Sequence, residues 1–254
     1  MKTILLLHDE SGSPKPRLQN VAGSKLTQRP SEGTPGSNCD RDAVHGVQLA
    51  GATAELVWHE RTDLGGADAV ILPGGFAHGD YLRSGAIARF SPVMGAVRDH
   101  AQRGGLTLGI CNGFQVLTEA RLLPGALRRN TTLRFEHRWV RLGLERHDTP
   151  FTVSVPQGRT LRMPIAHGEG AYWLPDTDLD ALEASGQVVF RYVGPEGNPN
   201  GAARDIAGVI NERGNVCGLM PHPERASEAL LGSDDGLLLF RSLVESMARV
   251  PVAA

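Results

Sequence analysis

The sequence is poor in cysteine and carries no excess of charge of either sign. Its 254 residues include three cysteines, Cys39, Cys111 and Cys217. An odd number with no close spacing argues against a disulfide framework. The formal net charge of -2 gives no indication of affinity for nucleic acid or for a membrane surface. The composition, with 41% hydrophobic residues, suits one α/β domain with a sizeable core.

Long apolar runs and ligand-binding signatures are missing as well. No run is long enough to span a bilayer, and the first residues lack the layout of a signal peptide. The nine histidines show neither His-x-x-x-His spacing nor a nearby Cys-x-x-Cys pair, which argues against a metal site. Glycine-rich pieces such as Gly194–Gly201 lack a Walker lysine. We therefore expect a cytoplasmic protein with neither a metal nor a P-loop nucleotide site.

One segment near the N-terminus has no apolar period. Residues 9–34 are rich in Ser, Gly, Pro, Lys and Arg, and we predict an exposed loop inserted into a single domain that spans residues 1–254. Such a loop is long for a compact domain. Its basic residues are sparse and lack interleaved aromatics, so a solvated loop is favoured over a polyanion-binding patch.

In the remaining chain, short apolar runs typical of strands alternate with segments whose apolar residues have helical spacing. This pattern predicts an α/β fold with a mainly parallel, doubly wound sheet and helices on both faces. Further strands are predicted to be peripheral and antiparallel. A C-terminal helix is predicted from near Ser233. The strand predictions are Thr3–His8, Ala54–His59, Asp68–Leu72 and Leu106–Ile110, then His137–Glu145, Phe151–Val155, Val188–Val193, and a hairpin of Ile206–Ile210 with Val216–Met220.

Cys111 lies where the buried strand Leu106–Ile110 gives way to a helical period. Gly109 and Gly113 flank it two residues to either side. This is the pattern of a nucleophile elbow with Cys in place of Ser, because a sharp strand-to-helix turn has no room for Cβ atoms beside the nucleophile. The alternative is an inert core cysteine. A core cysteine does not need a bend around it, so the glycines favour a nucleophile, which the helix N-terminus would help to ionise.

A cysteine nucleophile needs a base, and the base needs a group that orients it. Pro221–Glu224 follows the last predicted strand. In extended geometry His222 and Glu224 point to the same side, so the carboxylate can hold one imidazole nitrogen and leave the other for the thiol. A structural turn is the alternative for a histidine between prolines.

A tetrahedral intermediate needs backbone donors for its oxyanion. Gly74 and Gly75 follow the third predicted strand and allow close approach of an N–H group. The N–H of Asn112, directly after the nucleophile, is the natural second donor. Taken alone, the glycine pair would be read as an ordinary turn.

These residues resemble the class I (triad) glutamine amidotransferases, a flavodoxin-like family. The elbow and the His-Pro-Glu sequence are common to the whole class. Other stretches are similar to one subgroup, the glutaminase subunits of phosphoribosylformylglycinamidine synthases. The motifs that carry the resemblance are Gly109–Gln115, Pro221–Glu224, Pro73–Ala88, Ala166–Gly170, Asn198–Gly201 and His222–Arg225.

The resemblance implies roles for particular residues. Cys111 would be the nucleophile, His222 the base and Glu224 its orienting partner. The positions of Gly75 and Asn112 match the oxyanion hole, and Gln115 matches a position that contacts glutamine. Thiolate attack on the glutamine carboxamide would release ammonia and leave a γ-glutamyl thioester for water to hydrolyse.

The resemblance also implies a partner. Ammonia would pass to a synthetase subunit, with or without a small third subunit, that binds ATP and Mg and aminates formylglycinamide ribonucleotide. The Asn198–Gly201 loop and Arg225 are candidates to respond to that partner. Residues 9–34 depart from the family pattern, either as a true insertion or because the gene start is misread. Two alternatives remain, namely another amidotransferase or stand-alone glutaminase, and a non-catalytic flavodoxin-like binding module with an inert cysteine.

Overall fold

A computed structural model describes residues 2–8, 39–76 and 83–248. The predicted insertion at 9–34 lies outside these residues. The helices and strands follow in this order: β1 (Thr3–His8), α1 (Asp40–Leu49), β2 (Thr53–Trp58), β3 (Ala69–Leu72), α2 (Val93–Gln102), β4 (Leu106–Ile110), α3 (Asn112–Glu119), β5 (Ala126–Arg128), β6 (Glu136–Leu144), β7 (Leu161–His167), β8 (Ala171–Trp173), α4 (Asp176–Ala184), β9 (Val188–Val193), β10 (Ile206–Ile210), β11 (Val216–Leu219) and α5 (Leu237–Met247).

Nine strands form one sheet in the order β2-β1-β3-β4-β11-β10-β9-β6-β7. The first five are parallel, and their order is that of a flavodoxin-like doubly wound sheet. β4 lies between β3 and β11 in this parallel part, where Leu108 pairs with Ile71 of β3 and Cys217 of β11. All five residues of β4 are buried, as expected of a parallel strand covered on both faces. The predicted fold class is confirmed.

The last four strands extend the sheet in antiparallel fashion. The predicted hairpin of β10 and β11 is present, and β9, β6 and β7 follow it in order. The strands β5, β7 and β8 and the helix α4 were not predicted. β5 and β8 form a separate two-stranded sheet. This sheet packs on α3, where the ring of Tyr172 in β8 stacks on the ring of Phe114 in α3 with the ring centres 6.1 Å apart. The chain after α3 thus contains strands and a helix that the spacing of its apolar residues does not predict.

The predicted strand at Phe151–Val155 is wrong, since this segment forms consecutive turns. Thr149 and Thr152 hydrogen-bond to each other through their hydroxyls, 2.7 Å apart, and the Thr149 carbonyl accepts the N–H of Thr152 and of Val153. Threonine side chains that satisfy nearby backbone groups favour turns over strands. The alternation of apolar residues here therefore reflects burial of Phe151 and Val155 in the core.

Helix α5 begins at Leu237, four residues after the predicted start. The carboxylate of Asp235 accepts the backbone N–H of Arg162 at 2.7 Å and the Arg159 guanidinium at 2.9 Å. A Cβ added at Gly236 would lie 2.0 Å from the Pro223 carbonyl oxygen. These tertiary contacts hold residues before Leu237 outside the helix. Within the described ranges, no helix is long and apolar enough to cross a membrane.

Candidate active site

Cys111 occupies the turn between β4 and α3, with a φ of 49°. A positive φ is unusual for a residue other than glycine and is found where surrounding contacts enforce it. The Cys111 N–H donates to the Leu219 carbonyl at 2.8 Å, and its own carbonyl accepts the N–H of Gln115 at 3.1 Å. The first bond extends the β4–β11 ladder and the second begins the helix. The strained residue is therefore held from both sides.

The flanking glycines have the steric role that the sequence indicates. A Cβ on Gly113 would lie 1.9 Å from the Leu72 carbonyl oxygen. One on Gly109 would lie 2.6 Å from Cδ1 of Leu117 and 2.8 Å from the Gly113 backbone. No side chain fits at either position, so the turn that presents Cys111 requires both glycines.

His222 and Glu224 form a buried pair directly after β11. The Nδ1 atom of His222 lies 2.5 Å from Oε1 of Glu224, and each residue is 2% exposed. The sequence predicts an extended backbone here, and this prediction is wrong in part. Pro223–Ala226 forms a short 3-10 helix. Proline has the φ value that suits a first helical position. The predicted contact of ring and carboxylate is present nonetheless.

The environment of His222 favours the imidazolium. Burial by itself would lower its pKa, but the Glu224 carboxylate and the nearby sulfur of Cys111 offset this effect, and the pKa lies well above its usual value. The Nε2 atom is buried and has no hydrogen-bond partner among the described residues. Since Nδ1 is occupied by Glu224, Nε2 is the nitrogen left for a proton transfer with Cys111.

Cys39 packs against the other side of this pair. An Nη2 proton of Arg225 is donated to its sulfur at 2.9 Å, and a Cβ on Gly74 would lie 2.7 Å from Cε1 of His222 and 3.4 Å from that sulfur. Potential metal ligands of Cys39, His222 and Glu224 lie within 4.8 Å of one another. However, the imidazole and the carboxylate are bonded to each other and a guanidinium faces the sulfur. This arrangement favours a hydrogen-bonded support for His222 over a cation site.

A cavity of about 350 Å³ opens beside Cys111. One wall is the end of β7 and the residues that follow it, and the Ala166 carbonyl of β7 lies 3.7 Å from Sγ of Cys111. The predicted site residues Gly75 and Gln115 line the cavity, whereas Asn112 is buried next to Cys111 and does not line it. The full lining is Gly75, Phe76, Ser84, Cys111, Gln115, Arg129, Leu133, Arg134, Phe135, Ala166, His167, Gly168 and Glu169.

The side chain of Gln115 is already paired with protein groups. Its Oε1 atom accepts the Asn112 side-chain amide at 2.8 Å, and its Nε2 atom donates to the Glu169 carbonyl at 2.6 Å. Gln115 thus joins α3 to the opposite wall of the cavity. Its predicted contact with glutamine stays a prediction.

The charged end of the cavity was not predicted from the sequence. The Glu169 carboxylate accepts the N–H of Ser84 at 3.1 Å and lies 3.7 Å from the Arg129 guanidinium. Arg134 lines the same space. The stretch Ala166–Gly170 marks this wall in the sequence, but its spacing alone does not tell which side chains face a ligand.

Two buried asparagines hold the cavity wall and were also missed as site residues. Asn130 donates to the carbonyls of Arg134 and His167 and accepts the N–H of Gly170. Asn200, within the Asn198–Gly201 motif, donates to the carbonyl of Gly170 at 2.9 Å. The motif thus contacts the wall of the cavity and not the His222–Glu224 pair.

Comparison with known proteins agrees with this geometry. Residues 33–234 match the family model of CobB/CobQ-like glutamine amidotransferase domains. PurQ subunits of phosphoribosylformylglycinamidine synthase from Gloeobacter violaceus and Thermus thermophilus are 56% and 54% identical to the chain. Each alignment covers 85% of this chain and 96% of the relative.

Solved structures show the same fold. A chain of the Thermotoga maritima PurLQS structure superposes with a TM-score of 0.79 at 39% identity, over 97% of this chain and 99% of that one. The glutaminase domain of Trypanosoma brucei CTPS, solved with bound acivicin, shares the fold with a TM-score of 0.60 at 12% identity, over 100% of this chain and 96% of that one.

The doubly wound sheet, the cysteine at the carboxyl end of its strand β4 and the buried His–Glu pair define a glutamine amidotransferase domain of the triad class. Within that class, the chain belongs to the PurQ family of phosphoribosylformylglycinamidine synthase subunits.

Proposed function

We propose that this chain is a glutaminase subunit that hydrolyses glutamine and delivers ammonia to a synthetase subunit. The observation that carries the proposal is the union of three features at one edge of the sheet. Cys111 is held in a strained turn beside a cavity, and a buried carboxylate orients the neighbouring histidine. Nucleophilic catalysis by cysteine requires this combination.

The reaction begins from an ion pair, in which the Cys111 thiol has given its proton to Nε2 of His222 and the imidazolium faces the thiolate. The thiolate attacks the γ-carbonyl carbon of glutamine, and the carbonyl electrons move onto oxygen. Collapse of this intermediate expels ammonia, which takes its proton from His222, and a γ-glutamyl thioester remains on Cys111. His222 then removes a proton from water, the hydroxide attacks the thioester carbonyl carbon, and the C–S bond breaks to release glutamate and leave the Cys111 thiolate beside the His222 imidazolium, which is the starting state.

Backbone N–H groups of Gly75 and Asn112 are proposed to hold the oxyanion. Gly75 lines the cavity together with Cys111, and Asn112 is the first residue of α3. The first N–H groups of a helix have no partner within the helix and point at an anion placed before it. Donors fixed in this way stabilise the charge that develops on the carbonyl oxygen.

The other end of the cavity suits the α-amino and α-carboxylate groups of glutamine. The Glu169 carboxylate can accept from an ammonium group, and the guanidinium groups of Arg129 and Arg134 can pair with a carboxylate. A volume of about 350 Å³ is in the range of small-molecule sites.

The partner proposal follows from the family. The relatives are named as subunits of phosphoribosylformylglycinamidine synthase, and the PurLQS structure contains a chain similar to this one. We propose that a synthetase subunit holds the ATP and Mg and uses the ammonia to aminate formylglycinamide ribonucleotide in the cytoplasm. We also propose that the chain forms a single domain with residues 9–34 as an insertion.

Labelling with a glutamine-mimicking diazoketone tests the assignment of the nucleophile. We expect one label per chain, on Cys111. Burial raises the pKa of the Cys39 thiol and raises the pKa of the Cys217 thiol far above its usual value, so neither forms a thiolate readily. Peptide mass spectrometry locates the label. A label on Cys39 or Cys217, with Cys111 untouched, would exclude the proposed mechanism.

A further inference from the structure

Asn200 is a fully buried residue whose side-chain amide has only one possible orientation. Its Oδ1 atom lies 3.0 Å from the backbone nitrogen of Ala202, and its Nδ2 atom lies 2.9 Å from the carbonyl oxygen of Gly170. A backbone N–H can only donate and a carbonyl can only accept. The two backbone groups therefore fix which end of the amide is the donor.

This orientation determines the tautomer of His167. The same Nδ2 atom lies 2.9 Å from Nε2 of His167, so Nε2 must accept and the ring proton must reside on Nδ1. A second proton on Nε2 would place two donors against each other. Burial and the neighbouring His222 also lower the pKa of His167 to about 3.

The His167 segment connects Asn200 to the nucleophile. Ala166 and His167 line the cavity, and the Ala166 carbonyl lies 3.7 Å from the Cys111 sulfur. Nδ1 of His167 is buried and has no hydrogen-bond partner among the residues the structure describes. Asn200 itself does not line the cavity.

We propose that Asn200 is a positioning residue for glutamine hydrolysis, which fixes the His167 proton on Nδ1 and holds the Ala166–Gly170 wall against Cys111. The inference rests on the proposed function. Its physical basis is charge, because a positive His167 would oppose the imidazolium that His222 must form beside the thiolate. The Asn200 amide places a hydrogen-bond donor next to Nε2 of His167. A water molecule or a carboxylate in the same place could accept a proton from Nε2 and would allow His167 to become positively charged.

Asn198 provides a matched control in the same loop. Its Oδ1 atom accepts the N–H groups of Asn200, Gly201 and Ala202, and its Nδ2 atom donates to Ala202 and Asp205. These contacts build the loop without touching the cavity wall. A change at Asn198 therefore reports damage to the loop alone.

Several titratable or charged groups surround His167 and must be considered in a pH experiment. His222 acts on it directly, and Tyr192 on β9 shares the Asn200 amide at 3.3 Å. The remaining groups belong to the elements around the cavity and are Cys111, Glu224, Glu169, Arg129 and Arg134. Burial raises the pKa of Tyr192 well above its usual value, so Tyr192 does not titrate in the range of the test.

The test is the pH profile of kcat/KM for glutamine in the assembled synthase, with Asn200→Asp compared with wild type and Asn198→Asp. A carboxylate opposite Nε2 would draw a proton onto His167. We expect Asn200→Asp to lose about tenfold in kcat/KM near neutral pH and to gain an ionisation that restores activity as pH rises. Asn198→Asp should keep the wild-type shape. Adding His167→Gln to Asn200→Asp should remove the new ionisation.

The proposal would be overturned if the kcat/KM profile of Asn200→Asp had the wild-type pH dependence at a lower level. It would also be overturned if Asn198→Asp showed the same new ionisation. If a variant fails to fold, nitrogen NMR of His167 in the wild-type chain still decides. A proton on Nδ1 and none on Nε2 between about pH 6 and pH 9 is expected, and a proton on Nε2 would contradict it. If the wild-type complex itself does not hydrolyse glutamine, the proposed function fails and the role of Asn200 in hydrolysis fails with it, while the NMR measurement still decides the tautomer of His167.

Discussion

Glu224 illustrates how one carboxylate determines the chemistry of its neighbours. Burial alone would make His222 a weak base, yet the ion pair with Glu224 and the nearby Cys111 hold the pKa of His222 well above its usual value. The imidazolium therefore survives at neutral pH, where it can donate to departing ammonia. The His222–Glu224 pair could be predicted from the sequence, because a base and a carboxylate that can orient it stand two residues apart. The support from Cys39 and Gly74 was not, because it depends on the approach of β3 and α1.

Replacing Glu224 with Gln is expected to lower kcat about 100-fold and to shift the pH dependence. His222 is active as the imidazolium, so activity falls as pH rises through its pKa. Without the carboxylate that pKa falls, and the alkaline limb of the kcat/KM profile should move to lower pH. Glu228→Gln is the matched control, since Glu228 pairs with His45 at the surface. An unmoved alkaline limb in Glu224→Gln would show that the carboxylate does not tune His222.

At the scale of elements, the strand–turn–helix unit around Cys111 was the most predictable part of the chain. Three features of the sequence indicate the same turn: the apolar strand, the two glycines around Cys111 and the helical spacing of the apolar residues that follow. The wall formed by Ala166–Gly170 was less predictable, since it is held by Asn130 and Asn200 from distant loops. The Phe151–Val155 segment shows the limit of periodicity, because hydroxyls of Thr149 and Thr152 override it.

Alanine at Gly113 should destabilise this unit. The added Cβ would lie 1.9 Å from the Leu72 carbonyl oxygen, and a backbone atom cannot move aside as a side chain can. We expect a loss of about 3 kcal/mol or more in the free energy of unfolding. Gly95→Ala, on the exposed face of helix α2 with nothing outside the neighbouring helix backbone within 4 Å of the new Cβ, should gain about 0.5–1 kcal/mol. Denaturant unfolding measures both. Equal stabilities would contradict the close-packed elbow.

At the scale of the whole molecule, the site arises where the topology brings four connections together. The carboxyl ends of β3, β4 and β11 meet at one edge and deliver Gly75, Cys111 and His222. The antiparallel strand β7 then adds the wall at His167. The parallel half of this arrangement was predicted from alternating strands and helices. Antiparallel strands were also predicted, including the hairpin of β10 and β11, but β7, the pairing order of this half and the second sheet were not, because pairing partners separated by long stretches of chain leave no local pattern.

The central claim is that this chain supplies ammonia and contributes nothing else to the synthesis. The most direct measurement uses Cys111→Ala in the complex with the synthetase subunit, ATP and formylglycinamide ribonucleotide. Product formation is compared with glutamine and with an ammonium salt as the nitrogen source. We predict that glutamine-dependent synthesis is abolished while ammonium-dependent synthesis stays at the wild-type level. Loss of the ammonium-dependent reaction in a correctly assembled complex, or survival of the glutamine-dependent one, would contradict the account.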